Sequence, residues 1–150
     1  MTEHGSAERP AAEPTVDVLD STWVHARAAA VGTMIADPAR WRRWWPGLDL
    51  AADELRGPQG VRWTVRRVAD VPQARLHGTG EIWLQPSDDG VVVHFFLRLD
   101  PAPGHTVGAK AVAELTRRYR AQAKRAAWEI SDTLDPDRFA RHTSAGHASV

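Results

Sequence analysis

The 150-residue chain contains no cysteine. That excludes a disulfide scaffold, an iron–sulfur centre and a thiol nucleophile. It has no surplus of charge: 19 Lys plus Arg stand against 19 Asp plus Glu. The global electrostatic footprint of a nucleic-acid binder is therefore missing. Apolar runs of the roughly 18 residues that span a bilayer are absent, and no apolar stretch of a secretory signal follows the first residues. The expectation is a soluble, cytoplasmic domain with no nucleic-acid partner and no stable membrane insertion. Lysine is scarce as well: 17 of the 19 basic residues are arginine. With the many alanines, this suggests a GC-rich genome more than a chemistry. Tyrosine occurs once and phenylalanine three times, yet tryptophan occurs seven times. Most of the aromatic surface is therefore indole.

Residues 1–14 are polar and aperiodic and read as a flexible tail, as do residues 136–150. One folded domain spans 15–135. Its first strand, 15–26, places Val16, Val18, Asp20, Thr22 and Val24 on one face. An Ala-rich helix follows over 27–36. Asp37 is a good N-cap and Pro38 suits the first helical position, so a second short helix carries Trp41 and Trp44 until Trp45-Pro46-Gly47 stops it. Strands are predicted over 48–56, 61–68, 75–85 and 91–100. A long helix over 107–134 repeats Val112, Leu115, Tyr119, Ala123, Ala126, Ile130 and Leu134 at three- and four-residue spacing, the stripe of a helix that lies on a sheet.

Asp89-Gly90 between two alternating runs is a preferred hairpin signal. With these two as the loop, Leu84 pairs with Phe95 and Ile82 with Leu97. On the other face Glu81 pairs with Arg98, Trp83 with Phe96 and Gln85 with His94. One face is apolar; the other is a ladder of aromatic and polar pairs.

The order β–α–α–β–β–β–β–α predicts an α+β domain of two layers, with the first strand beside the last. A twisted sheet curling around one helix leaves space between the layers, the usual place for a small-molecule site. The segment from Ile35 to Leu48, with Asp37-Pro38 and its tryptophans, following Thr22-Trp23-Val24-His25-Ala26, resembles the start of a START-like helix-grip (SRPBCC) domain. Arg56-Gly57, Gly60-Val61-Arg62-Trp63, Glu81-Ile82-Trp83-Leu84 and residues 94–100 are similar to actinobacterial polyketide cyclase/dehydrase-like members. The resemblance implies a Bet v 1-like fold: a curved antiparallel sheet of about five to six strands around a long C-terminal helix, with two short helices after strand one. It also implies a hydrophobic or aromatic ligand, lipid or polyketide-like, held between sheet and helix without cofactor.

The candidate ligand-binding residues are Trp41, Trp44, Trp45, Trp63, Trp83, Phe95, Phe96, Leu115 and Tyr119. Trp41 and Trp45 also suit a purely structural role, anchoring the helical pair on the sheet, and Tyr119 that of a core tyrosine. Glu81, His94 and Arg98, with Trp83 and Phe96, are open to three readings. They form a solvated outer face with a surface ion pair. Or they line the cavity of a cyclase- or dehydratase-like enzyme, as carboxylate base, imidazole acid or base, and guanidinium clamp. Or they make an interaction face, with a homodimer as the simplest case. Asp20, if inward, needs a partner. The scattered histidines show no HxH or HExxH spacing, so no metal site is expected. Gly78-Thr79-Gly80 is no phosphate loop; its glycines mark a bend that lets the sheet curl.

Overall fold

The computed structural model describes residues 14–137. Apart from residues 14, 136 and 137, the two expected tails lie outside the described residues. Strand β1 (Val16–Val24) leads to α1 (Ala28–Ile35) and α2 (Pro38–Trp44). Then come β2 (Leu48–Leu55), β3 (Gly60–Val68), β4 (Leu76–Ser87) and β5 (Gly90–Pro101), and α3 (Ala109–Leu134) closes the described chain. The five strands form one antiparallel sheet in the order β1-β5-β4-β3-β2. The first strand does lie beside the last, as the parity of the meander requires.

Local chemistry explains the helical pair. The Asp37 side chain accepts a hydrogen bond from the Ala39 amide at 3.0 Å, which satisfies an orphan donor of α2, and Pro38 needs no partner there. Pro46 disfavours helical geometry for the residue before it. Trp45 takes φ −131° and ψ 68°, so the helix ends and its indole turns into the core.

The inner sheet face is built of cross-strand rows. Val61, Ile82, Phe95 and Asp20 make one, Trp63, Gly80, Leu97 and Val18 the next, and Val65, Gly78, Leu99 and Val16 a third. Ile82, Leu84, Val93, Phe95 and Leu97 are buried, so this is the face turned toward α3. A Cβ on Gly80 would lie 3.3 Å from the Trp63 ring. The missing side chain leaves a trough in the middle of the sheet, and the Trp63 indole occupies it. The glycines of β4 thus do more than permit a bend.

The hairpin register differs from the expected one. Ser87 pairs with Gly90, so Asp88 and Asp89 form the loop, and Leu84 pairs with Val93, Ile82 with Phe95, and Trp83 with His94. The shift of two residues keeps every side chain on its expected face. Its cause lies on β1. A Cβ on Gly90 would meet the Val24 carbonyl oxygen at 2.4 Å and the Trp23 ring at 2.7 Å. Gly90 is needed for close approach rather than for turning. Asp88 adopts the positive φ instead, at 54°, a conformation Asp tolerates better than most residues.

Candidate functional site

Sheet, α2 and α3 enclose a cage of aromatic rings. Trp45 stacks on Phe95 with centroids 5.1 Å apart and meets Trp63 edge-on at 5.5 Å. Trp41 meets Trp63 at 5.4 Å, and Trp44 meets Trp45 at 5.6 Å, both near perpendicular. These are the offset and edge geometries that ring quadrupoles favour, each adding about 0.5–1.5 kcal/mol beyond burial. Opposite the rings, α3 presents Leu115, Tyr119, Ala123, Ala126 and Ile130 to the core. The small alanines leave width for the indoles.

The four indole N–H groups of the cage divide into two pairs. Trp41 Nε1 donates to the Ile35 carbonyl at 2.6 Å, and Trp44 Nε1 donates to Glu129. Trp45 Nε1 and Trp63 Nε1 are buried and have no hydrogen-bond partner among the described residues. Both side chains are only 1% exposed. A buried donor left unmade costs about 1–3 kcal/mol, so two in one cage call for an explanation beyond packing.

Two polar latches hold α3 over this cage. Tyr119 donates its hydroxyl to Asp70, and Arg118 pairs with the other oxygen of the same carboxylate. Asp70 belongs to the loop after β3, so this loop is tied to the helix. Burial pushes the Tyr119 hydroxyl well above its usual ionisation range, and the bond to Asp70 adds to the shift. The second latch joins α3 to β1. Lys124 Nζ lies 3.1 Å from Asp20 Oδ1 and donates to Thr22 Oγ1 at 2.7 Å. The inward carboxylate foreseen on β1 thus has its partner. An open groove of about 680 Å³ runs beside it, lined by Asp20, Ala113, Thr116, Arg117, Arg120, Ala121 and Lys124.

No family model and no curated protein matches the sequence. Solved structures do match. The Aha1 dimer from Colwellia psychrerythraea shares 13% identity over 80% of this chain and 96% of its own, with a TM-score of 0.54. A START superfamily protein from Mycobacterium smegmatis shares 14% identity over 79% of this chain and 98% of its own, with a TM-score of 0.50. The di-domain ARO/CYC StfQ of the steffimycin biosynthetic pathway shares 19% identity over 83% of this chain and 52% of its own, with a TM-score of 0.51. The chain has the START-like helix-grip fold.

On this START-like frame the candidate residues separate by strand parity. Trp41, Trp44, Trp45, Trp63, Phe95, Leu115 and Tyr119 are buried in the interlayer core. Glu81, Trp83, His94, Phe96 and Arg98 point to the opposite, outer face of the sheet. There His94 stacks on Trp83 with centroids 4.9 Å apart. Its Nδ1 is 2.7 Å from Ser21 Oγ and its Nε2 2.9 Å from Gln85 Oε1. The amide oxygen can only accept, so Nε2 is the donor to Gln85. The expected Glu81–Arg98 pair does not form. Glu81 takes Arg56 at 3.2 Å, while Arg98 reaches Asp17 at 3.9 Å and covers the Phe96 ring at 5.8 Å. Arg56 is shared with Glu54 at 2.6 Å, and that hydrogen bond raises its pKa.

Several polar residues around the core escaped the sequence reading. Asp70 sits in an aperiodic loop, and its role depends on a helix 48 positions away. Glu129 and Gln122 fall off the apolar stripe of α3, so its period does not single them out. Lys124 carried one faint signal, as one of only two lysines in the chain. Among the described residues no helix is long and apolar enough to cross a membrane.

Proposed function

We propose that this domain binds a planar, largely apolar molecule carrying carbonyl-type acceptors, in the indole-lined space between sheet and α3. One observation carries the reading: Trp45 and Trp63 keep two buried N–H donors unpaired within one aromatic cage. A flat ligand can exchange ring contacts with Trp41, Trp44, Trp45, Trp63 and Phe95 and give its oxygens to the free donors. Entry requires the cage to part, and Leu115 and Tyr119 on α3, with the Asp70 latch, frame the side that would open. The likeness to an ARO/CYC protein of a biosynthetic pathway supports an aromatic polyketide-like class over a simple fatty chain. Fold similarity alone does not carry activity across.

The test uses an anthraquinone and its hydrocarbon parent, anthracene, with tryptophan fluorescence as the readout. Trp45→Phe and Trp63→Phe keep one aromatic ring and remove the pyrrole ring with its donor. Each is expected to weaken anthraquinone by roughly fivefold to tenfold more than anthracene, the worth of one buried hydrogen bond. Failure of the parent protein to bind either compound would overturn the reading.

A second reading concerns the outer face. Trp23 and Trp83 are 46% and 43% exposed, and Leu19 is exposed beside them. Exposed aromatic clusters of this kind mark contact surfaces. We propose that Trp83, Phe96 and Arg98 form an interaction face, with a second copy of the chain as its simplest partner. A cyclase- or dehydratase-like role for Glu81, His94 and Arg98 would place the chemistry on this same face.

A further inference from the structure

A cleft that shares only Trp44 with the cage opens between α2 and α3. Arg43, Trp44 and Pro46 line one wall, Gln122, Arg125 and Glu129 the other, and its volume is about 310 Å³. That is near the lower limit for small-molecule sites. Gln122, Arg125 and Glu129 fall three and four residues apart, so they share one side of the helix. The cleft is polar where the cage is apolar.

Its charges do not balance. Among the described residues Glu129 is the one carboxylate lining it. Arg43 pairs with that carboxylate, Arg40 reaches it at 3.6 Å, and the Trp44 indole donates to it. Glu129 thus holds two guanidinium groups in place while neutralising only one charge. Arg125 makes no ion pair with any described carboxylate, though it lines the same space. Gln122 Oε1 is buried and has no hydrogen-bond partner among the described residues. The cleft therefore offers one cationic donor held by Glu129, a second on Arg125, one orphan amide acceptor and the flat surfaces of Trp44 and Pro46.

We propose that this cleft is a binding site for a small hydroxylated organic anion. The oxyanion, carboxylate or phosphate, would lie between Arg43 and Arg125, because planar guanidinium forks match both groups. A hydroxyl on the same molecule would donate to Gln122 Oε1. A flat or apolar portion would rest on Trp44 and Pro46. This site shares Trp44 with the cage, but it takes a charged ligand, whereas the proposed cage ligand carries no charge.

Calorimetric titration of the full chain tests it with four probes: 4-hydroxybenzoate, benzoate, glycerol 3-phosphate and n-propyl phosphate. Binding of 4-hydroxybenzoate or glycerol 3-phosphate, each tighter than its partner lacking the hydroxyl, is expected, and the preferred pair tells a carboxylate site from a phosphate site. Arg125→Gln changes an exposed residue and should weaken the preferred probe by at least about tenfold. Gln122→Leu should erase the preference for the hydroxylated member. Anthraquinone binding is the control and should be unchanged in both variants, so failure of the cage reading is seen separately. No saturable binding of any of the four anions, or equal binding by the parent and Arg125→Gln, would overturn the proposal.

Discussion

Asp20 and Lys124 join the middle of β1 to the middle of α3, carboxylate to ammonium at 3.1 Å. The Asp20 carboxylate is 9% exposed, so its solvation must come from the protein. Removing one partner leaves the other uncompensated. Lys124→Ala is expected to lower stability by about 1–2 kcal/mol, because the half-exposed lysine end is partly screened. Asp20→Ala with Lys124→Ala should cost less than the two single losses combined. Denaturant midpoints of the four proteins check this; strict additivity would refute the coupling.

The trough at Gly80 makes a different demand. Gly80→Val must push atoms into the Trp63 ring, already 3.3 Å from where a Cβ would stand. A loss of about 1–3 kcal/mol is expected, the usual effect of overpacking. The Trp63 ring would also be forced out of register with Trp41 and Trp45. A thermal unfolding scan and the near-ultraviolet dichroism of the indoles read both effects, and an unchanged dichroism would disprove the packing account.

Tyr119 is the single tyrosine of the chain, so its ionisation can be followed without ambiguity. Burial, then the Asp70 hydrogen bond, raises its pKa in the fold above the ordinary 10.0. A raised folded value means that the neutral phenol is the favoured native form. Its stabilising effect is complete below about pH 10 and is lost progressively as pH climbs beyond that value, where the unfolded chain ionises first. Phenolate absorbance should therefore be absent from the native protein at pH 10 and should appear only with unfolding. Tyr119→Phe should lose that part of the alkaline dependence. A phenolate signal titrating normally in folded protein would contradict the latch.

On the outer face the Trp83–His94 stack gives the interaction reading its test. If two copies meet there, sedimentation should show a dimer for the parent and a monomer for Trp83→Ser, with the unfolding midpoint of the monomer little changed. A monomeric parent at high concentration removes that reading.

Much of this architecture is legible along the chain. Alternation on β1, β4 and β5 sorts residues onto two faces but leaves open which face of the β4–β5 hairpin turns toward α3, and Asp37-Pro38 and Trp45-Pro46 bracket α2 by rules that act over a few bonds. The α3 stripe names Leu115, Tyr119, Ala123, Ala126 and Ile130 as its buried side. These are local relations, set by backbone geometry and by the periods of helix and strand. The hairpin register was not legible, because it depends on Trp23 and Val24 crowding Gly90 from another strand. Nor was the state of each indole. Trp44 finds its acceptor on Glu129, 85 positions away, while Trp45, its neighbour in the chain, finds none. Composition and period place seven tryptophans on their elements. Which N–H is satisfied, which guanidinium lacks a carboxylate and which glycine yields its space to a ring are decided only when distant segments share one interior, since desolvation and close packing act between residues that meet in space.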